Sequence, residues 1–337
     1  MRAWFVPMLL IACTGSPDVG GGPATPADPP SDPLPSWNDG PSREAILAFV
    51  DAVTTPGPDF VEPAARIAVF DNDGTLWAEQ PFYFQADYAH ARVKALAPLH
   101  ADWQTQQPFA AILSGDEAAI AASGMEGFVQ VTLATHGEIT IDEFDQSVRG
   151  WMATARHPRF DKPYTECVYQ PMQEVLAYLR ANGFQTWIVT GGGQEFLRVF
   201  SEGVYGVPPE QVIGSRVKKA YEVREGISVI VQKPEIEFVN DKDAKPIGIQ
   251  VQIGRQPIVA FGNSDGDRAM LEYTTSGPGK RLGVLIHHTD EVREWAYDRE
   301  SPIGHLEEAL DQATQDGWVV VDMKSEWSRV FPFDPAP

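Results

Sequence analysis

The segment FDNDGTLW, residues 70–77, follows the apolar run Ile67–Phe70 and places Asp71 and Asp73 two positions apart. Neighbouring carboxylates repel each other and raise each other's pKa. A bound cation is the simplest way to offset that repulsion, and carboxylate oxygens are ligands that hard divalent cations prefer. The segment therefore predicts a buried strand that ends in an acidic, cation-binding loop.

Short apolar runs alternate along the chain with segments of helical periodicity. Runs typical of buried strands occupy residues 66–70, 184–190, 256–262, 281–286 and 317–323, and helical patterns occupy residues 42–53, 171–183, 194–206, 264–273 and 290–298. This alternation predicts an α/β fold, a doubly wound parallel sheet with helices on both faces. Ligands of such sheets bind at the carboxyl ends of the strands. The stretches DNDGT, TGGG and GNSDGD fall at three of these ends.

Two stretches interrupt the alternation. Residues 80–170 are mostly helical in pattern and contain a capping box at Thr140 and Glu143, which predicts a helical domain inserted into a core of residues 42–79 and 171–328. Residues 219–254 contain two apolar pieces, ISVIVQ and IGIQVQI, which predict a β-hairpin.

The first residues are typical of a targeting segment. Residues 1–13 join an early Arg to a short apolar run ending in Leu-Ile-Ala-Cys, which resembles the bacterial lipobox and predicts a lipid on Cys13. A plain signal peptide is the alternative. Residues 14–41, rich in Pro and Gly, predict a disordered tether. We therefore expect a periplasmic or surface lipoprotein of the bacterial cell envelope, with Cys167 as a buried apolar residue outside any disulfide.

The formal net charge of −21 limits the classes of partner. Nucleic acids and anionic membrane surfaces are bound by basic patches, and the chain has no basic run. We expect no nucleic-acid partner and a membrane contact only through the lipid on Cys13.

Phosphoryl transfer to a carboxylate needs a nucleophile, a second carboxyl group, a divalent cation, and donors for the phosphoryl oxygens. Asp71 and Asp73 supply both carboxyl groups from one loop. Thr190 supplies a hydroxyl, with the glycine amides of Gly191 and its neighbours behind it. The acidic loop from Asn263 to Asp267 completes a set of oxygen ligands for a hard cation.

In this order the segments resemble the motifs of the haloacid dehalogenase superfamily, in particular its phosphoserine phosphatase-like and phosphorylcholine phosphatase-like branch. DNDGT is similar to the first motif, Asp-x-Asp-x-Thr; WIVTGG is similar to the second; and GNSDGDRAML resembles the fourth, Gly-Asp-x-x-x-Asp. The third motif is a lysine, which we assign to Lys245, with Lys218, Lys219 and Lys242 as the alternatives.

The resemblance implies a role for each matched residue. Asp71 would be the nucleophile and Asp73 the general acid and base, while Thr190, Gly191 and Lys245 would bind the phosphoryl group. Mg²⁺ would be the cofactor, held by the two aspartates and by the fourth motif, whose candidate ligands are Asn263, Asp265 and Asp267. Asp73 favours phosphomonoester hydrolysis, since dehalogenases and P-type ATPases of this superfamily lack an Asp at that position.

The fourth motif departs from the family pattern, because Asn263 stands where the family has a metal-binding Asp. Asp265 and Asp267 are the candidate replacements for the missing carboxylate. This departure is the feature that favours an alternative function, a catalytically impaired lipoprotein that only binds a ligand. A phosphotransferase is a further alternative, since it would share the aspartyl-phosphate.

The helical segment of residues 80–170 lies where the family has a cap that closes over small substrates. It is rich in aromatic residues, which together with Trp77 either bind an ammonium group by cation–π contact or form the core of the cap: Phe82, Tyr83, Phe84, Tyr88, Phe128 and Trp151. The expected substrate is a small phosphomonoester such as phosphoserine or phosphocholine, with Trp77 among its contacts.

Overall fold

The computed structural model describes residues 32–335. The predicted signal segment, Cys13 and most of the predicted tether lie outside the described residues. Among the described helices, none is long and apolar enough to cross a bilayer. The helices are α1 (Pro41–Thr54), α2 (Phe84–Leu96), α3 (Phe109–Ser114), α4 (Glu117–His136), α5 (Ile141–Met152), α6 (Gln170–Ala181), α7 (Gln194–Arg198), α8 (Ser201–Tyr205), α9 (Ala244–Gln252), α10 (Arg268–Thr275), α11 (Glu308–Asp316) and α12 (Met323–Glu326).

Seven strands of the described residues form one sheet in the order β4-β3-β2-β1-β5-β6-β7. The strands are β1 (Ile67–Phe70), β2 (Gln185–Gly193), β3 (Val212–Arg224), β4 (Ile227–Phe238), β5 (Val259–Gly262), β6 (Leu282–His287) and β7 (Val319–Asp322). All neighbouring pairs are parallel except β3 and β4, which form an antiparallel hairpin. The predicted α/β doubly wound sheet is confirmed.

Strand β1 lies in the middle of the sheet and is buried on both faces. Ala68 and Phe70 pack into one apolar cluster, whereas Ile67 and Val69 pack into another, as the two-residue period of a strand requires. Its neighbours are β2 and β5, so the residues that follow these three strands meet at one edge of the sheet. This topology brings the DNDGT, TGGG and GNSDGD segments together.

Helices α2 to α5 lie in the segment of residues 80–170, called here the helical insertion. It contacts the edge of the sheet through backbone hydrogen bonds to β4: Glu138 N–H donates to Gln232 O at 2.7 Å, and Gln232 N–H donates to Ile139 O at 2.9 Å. The capping box at the start of α5 is confirmed, since Thr140 and Glu143 cap each other reciprocally.

Two sequence predictions are wrong. The piece IGIQVQI is not a strand of the hairpin, because residues 244–252 form α9, and β4 pairs with β3 instead. Its buried residues are Lys245, Gly248 and Ile249, whereas Ile247 and Val251 are exposed. Residues 290–298 form turns rather than a helix.

The turns of residues 290–298 follow from local hydrogen bonds. The carboxylate of Asp290 accepts from the backbone N–H groups of Val292 and Arg293, and Glu294 is buried against His288.

Two other predicted helices differ in detail. The helix predicted at residues 194–206 is divided into two shorter helices, α7 and α8. The first helix begins at Pro41, one residue before the predicted start, and Ser42 donates its hydroxyl to Glu326.

Candidate active site

The loop after β1 has a compact turn that fixes both aspartates. The carbonyl oxygen of Asn72 accepts hydrogen bonds from the N–H groups of Thr75, Leu76 and Trp77. Gly74 has φ +73°, and a Cβ at this position would lie 2.0 Å from Asn263 Nδ2. Glycine is therefore required at position 74 by both backbone conformation and space.

Lys245 lies between two buried carboxylates. Its Nζ is 2.6 Å from Asp71 Oδ1 and 2.5 Å from Asp267 Oδ1, and the side chains of all three residues are almost completely buried. The structure thus brings the lysine assigned from the sequence to the assigned nucleophile. The alternative lysines lie elsewhere: Lys218 pairs with Glu235, Lys219 with Glu195, and Lys242 is exposed.

The electrostatics of the cluster are set by burial. Burial, together with the charge of Asp267, raises the pKa of Asp71 well above its usual range, against the lowering effect of Lys245. Burial alone would lower the pKa of Lys245, but the carboxylates of Asp267 and Asp71 outweigh it and raise that pKa. The lysine is therefore a permanent cation beside the carboxylate of Asp71.

Asp73 faces a small cavity from the same loop. Burial raises the pKa of Asp73, and the indole N–H of Trp77, which donates to Asp73 Oδ1 at 2.8 Å, acts in the opposite direction. The cavity has a volume of about 200 Å³ including its opening to solvent, and its lining residues are Asn72, Asp73, Trp77, Gln85, Thr190, Gly192, Gly193, Phe196 and Leu197. Asp73 is thus placed to exchange a proton with a group in this cavity.

Trp77 reaches the site through its N–H group and not through its ring face. Its ring is buried and packs against Phe84 and Phe200, with centroids 4.6 and 4.9 Å apart. Tyr88 of the insertion packs in the same way against Phe144 and its neighbours. Of the two readings left open by the sequence, these contacts favour an aromatic core over a cation–π cage.

Thr190 lies in β2 and turns its hydroxyl toward the following glycines. Its Oγ1 accepts a hydrogen bond from Gly192 N–H at 2.9 Å, and its carbonyl accepts from Asn240 Nδ2 at 2.9 Å. A Cβ on Gly192 would lie 3.7 Å from Asp73 Oδ2, which shows how close this turn comes to the acidic loop. Gly191 is exposed, and its carbonyl accepts from Ser215 Oγ.

Gln85 of α2 is a site residue that the sequence did not indicate. Its Oε1 accepts from Gly193 N–H at 2.6 Å, and its Nε2 lies 3.5 Å from His136 Nε2. Thr135 Oγ1 donates to Val131 O, so it accepts from His136 Nδ1, which leaves His136 Nε2 as the acceptor for Gln85. This chain of hydrogen bonds joins the insertion to the glycine turn.

Asn263 follows β5 and is held by hydrogen bonds from both ends of its amide. Thr75 Oγ1 donates to Asn263 Oδ1 at 3.0 Å, and Asn263 Nδ2 donates to Glu79 Oε1 at 2.7 Å. Tyr297 also donates to Glu79 Oε1, at 2.8 Å. Burial, with the nearby charges of Asp73 and Asp71, raises the pKa of Glu79 well above its usual range, despite the hydrogen bond from Tyr297.

Asp267 and Asp265, the two aspartates of the fourth motif, have different hydrogen-bond partners. Asp267 Oδ2 accepts from the N–H groups of Asn263 and Ser264, while its Oδ1 contacts Lys245, so both oxygens are occupied. Asp265 Oδ1 accepts from the N–H groups of Glu307 and Ala309 at the start of α11, away from the aspartate loop. The prediction of Asp265 as a metal ligand is therefore not supported.

His288, paired with Glu294, supports the loop that carries the two aspartates. His288 Nε2 donates to the carbonyl of Gly74 at 2.8 Å, and His288 Nδ1 lies 3.2 Å from Glu294 Oε2. Cys167 is buried and unpaired, and burial raises the pKa of its thiol to about 12.

The donors at this edge of the sheet fit Mg²⁺. Among residues 32–335 there is no cluster of three His, Cys, Asp or Glu side chains that would hold a metal by themselves. Mg²⁺ does not require such a cluster, because it is usually bound by one or two carboxylates, waters and substrate phosphate oxygens. The carboxylate of Asp71, the backbone carbonyl of Asp73 and the amide oxygen of Asn263 meet that requirement.

Comparison with known proteins adds a family match. A family model described as haloacid dehalogenase-like hydrolase matches residues 68–272, which include Asp71, Asp73, Thr190, Lys245 and Asn263. No curated protein sequence matches the chain.

Solved structures show a related fold. A conserved protein of unknown function from Anaerococcus prevotii shares 14% identity over 82% of this chain and 90% of its own, with a TM-score of 0.53. A protein of unknown function from Bordetella pertussis shares 17% identity over 77% of this chain and 98% of its own, with a TM-score of 0.48. A probable phosphoserine phosphatase from Vibrio cholerae shares 15% identity over 70% and 60%, with a TM-score of 0.36. The first of these similarities shows a shared fold.

Proposed function

The chain belongs to the haloacid dehalogenase-like hydrolase family, and we propose that it is a Mg²⁺-dependent phosphatase that hydrolyses small phosphomonoesters through a covalent phosphate on Asp71. The observation that supports this most is the contact of Lys245 Nζ with Asp71 Oδ1 at 2.6 Å. It places a fixed cation beside the carboxylate that would meet the phosphate, where transition-state charge develops.

The first half of the reaction transfers the phosphoryl group to Asp71. Lys245 engages Oδ1, so Oδ2 is the oxygen that attacks phosphorus. The Oδ2–P bond forms while the bond from phosphorus to the leaving oxygen breaks. Asp73, whose pKa is raised by burial, donates its proton to that leaving oxygen, and the product alcohol departs.

The second half returns Asp71 to its free state. Asp73, now deprotonated, takes a proton from water as the water oxygen attacks phosphorus, and the Oδ2–P bond breaks to release inorganic phosphate. Lys245, the hydroxyl of Thr190 and the amide of Gly191 would hold the phosphoryl oxygens through both steps.

The carboxylate of Asp71, the backbone carbonyl of Asp73 and Asn263 Oδ1 would hold the metal, which leaves the carboxyl group of Asp73 free to act as the general acid and base. When bound, Mg²⁺ would offset the repulsion between the Asp71 carboxylate and the phosphate. Without it, Asp71 and Asp267 share the ammonium of Lys245, and the nearby charge of Asp73 adds to the repulsion on both Asp71 and Glu79, which favours binding of a divalent cation.

The cavity supports a small, polar substrate. The space in it that a water-sized sphere can occupy is only about 10 Å³, room for roughly one water molecule, so it admits only a small group of the substrate. Asn72 Oδ1 is buried without a hydrogen-bond partner among the described residues, so it can accept from a hydroxyl or ammonium group of the substrate. Phosphoserine meets both conditions better than phosphocholine, whose quaternary ammonium cannot donate a hydrogen bond.

The test is phosphate release by the full-length chain from a panel of small phosphomonoesters, with Mg²⁺ and with EDTA. We expect Mg²⁺-dependent release that Asp71→Asn lowers by about a thousandfold or more, since the covalent step is lost. The control is Glu235→Gln, because Glu235 is an exposed carboxylate paired with Lys218. Near-normal rates in Asp71→Asn would overturn the nucleophile assignment.

Two outcomes would favour the alternatives. Transfer of phosphate to an added alcohol, in place of release, would indicate a phosphotransferase. A folded chain that binds phosphate and Mg²⁺ but releases nothing from any member of the panel would indicate a ligand-binding module.

We also propose, from residues 1–13, that the protein is a cell-envelope lipoprotein. Incorporation of labelled palmitate into the parent chain, but not into Cys13→Ser, would support this.

A further inference from the structure

The position that departs from the family's fourth motif is not isolated in the structure. Asn263 is 1% exposed and Glu79 is 2% exposed, and the two are joined by a hydrogen bond of 2.7 Å from Asn263 Nδ2 to Glu79 Oε1. They are 184 residues apart in sequence. The buried carboxyl group of Glu79 thus lies within hydrogen-bond distance of position 263, where the family has a carboxylate and this chain has an amide.

We propose that Glu79 and Asn263 act as one unit, in which the Glu79 carboxyl group fixes the Asn263 amide and, ionised when the cation is bound, supplies the negative charge that an aspartate at position 263 would bring to the metal. Glu79 is then a positioning residue, and Asn263 is the residue that touches the cation. The inference rests on the proposed use of Mg²⁺ and goes beyond it, because it explains how a neutral ligand is tolerated.

The orientation of the Asn263 amide is set by its two partners. Glu79 Oε1 accepts hydrogen bonds from both Asn263 Nδ2 and Tyr297, and Asn263 Oδ1 accepts from Thr75 Oγ1. The amide nitrogen therefore faces Glu79 and the amide oxygen faces Thr75. The oxygen therefore faces the loop that carries Asp71 and Asp73. Partners of metal-ligating side chains commonly fix the orientation of the ligating atom in this way.

The surroundings of Glu79 are built to accept its carboxylate. Tyr297 provides a second donor to Oε1 at 2.8 Å. Two glycines with positive φ leave space for the carboxyl group of Glu79. A Cβ on Gly74 would lie 2.4 Å from Glu79 Oε1, and one on Gly304 would lie 2.0 Å from it. Side chains at either position would displace the carboxylate, so the space around Glu79 depends on residues from two distant segments.

The unit predicts that the two positions depend on each other. An aspartate at position 263 would remove the donor and place two carboxylates against each other at hydrogen-bond distance. A glutamine at position 79 keeps an oxygen that accepts from Asn263 and Tyr297 but removes the charge. Changing both residues moves the charge to position 263 and restores a donor, since the glutamine amide can donate to the new aspartate.

The test measures Mg²⁺ binding by titration calorimetry on the full-length chain, beside thermal unfolding in EDTA. We expect Glu79→Gln to weaken Mg²⁺ binding by about 10–100-fold, in the range found for partners of metal ligands, without lowering the unfolding midpoint of the metal-free protein. Asn263→Asp alone should lower that midpoint. Glu79→Gln combined with Asn263→Asp should recover most of both losses.

The matched control is Glu326→Gln, a carboxylate that accepts from Ser42 and lies outside the cluster; it should bind Mg²⁺ like the parent chain. Unchanged Mg²⁺ affinity in Glu79→Gln overturns the inference, as does a double variant whose losses are the sum of the single ones. A parent chain that binds no Mg²⁺ overturns it too. If no phosphomonoester is hydrolysed but the Mg²⁺ series behaves as described, the inference stands and the phosphatase proposal fails.

Discussion

Lys245 and Asp71 are separated by 174 residues, yet Nζ of one lies 2.6 Å from Oδ1 of the other in a buried environment. The contact exists because α9 begins next to the carboxyl end of β1 and turns Lys245 inward together with Gly248 and Ile249. The same ammonium also compensates Asp267.

Replacing Lys245 with Met should destabilise the fold by about 3–5 kcal/mol, because two buried carboxylates lose their counter-charge. It should also weaken inhibition by inorganic phosphate. Urea unfolding and product inhibition measure the two effects. Lys242→Asn is the matched control, since Lys242 is exposed and its φ of +52° suits Asn; a larger effect from this control would move the third motif.

Gly74→Ala should cost more stability than Gly226→Ala. Both glycines have positive φ, +73° and +81°, so each alanine brings backbone strain of about 1–2 kcal/mol. A Cβ on Gly226 meets nothing within 4 Å, whereas one on Gly74 collides with Asn263 and Glu79, which adds about 1–3 kcal/mol. Denaturant unfolding of the two variants separates strain from collision, and equal losses would show that the acidic loop can move aside.

Trp77→Phe should shift the alkaline limb of the pH profile of kcat to higher pH. The indole N–H stabilises the charged form of Asp73, so its removal raises the pKa of Asp73 further. A general acid with a higher pKa stays protonated to higher pH. Trp151→Phe, which alters a ring of the same aromatic cluster without a contact to Asp73, should leave the limb unmoved.

His136→Gln should make the protein less sensitive to acid. Burial lowers the pKa of His136 to about 3, compared with about 6.5 in an unfolded chain. Between these values the unfolded state binds one more proton than the folded state, so stability falls as the pH falls. Glutamine can still accept from Gln85 but does not titrate.

The measurement is the free energy of unfolding of the parent and of His136→Gln between about pH 4 and pH 6. The slope of the parent should be steeper by about 1.4 kcal/mol per pH unit, the contribution of one proton. His100→Gln is the control, because His100 lies at the half-buried surface of the insertion. Parallel slopes in parent and variant would show that His136 is protonated in the folded protein.

The sequence was sufficient for the strands that carry the site. Residues 67–70 and 259–262 are apolar without interruption, as strands buried on both faces must be, and each is followed directly by polar residues that cannot continue the core. The order of the strands then brings Asp71, Thr190 and Asn263 together, because parallel strands present the same end to one edge.

The errors have local causes. IGIQVQI alternates because Ile247 and Val251 are apolar although exposed, so its apolar residues did not mark its buried face. The assignment of Asp265 to the metal stays a prediction: its Oδ1 accepts from the N–H groups at the start of α11, a contact across more than forty residues. Neither effect is visible in a local pattern.

Glu79, Gln85 and His136 were missed for a related reason. Each is an ordinary polar residue in a segment with no motif, and each acquires its role only from a partner far along the chain: Asn263, Gly193 and Gln85, respectively. A sequence states that a carboxylate or amide is present, whereas burial and pairing depend on the packed fold.

The hydrogen bonds between the helical insertion and β4 also bear on how copies of this chain behave toward one another. Strand β4 is the outer strand of the sheet, and Ile227 and Ile230 near its start are exposed. Bare outer strands are templates for pairing with other chains and for aggregation. Because Glu138 and Ile139 occupy the backbone groups of Gln232, the length of strand open to such pairing is shortened, so the insertion also protects the protein's solubility.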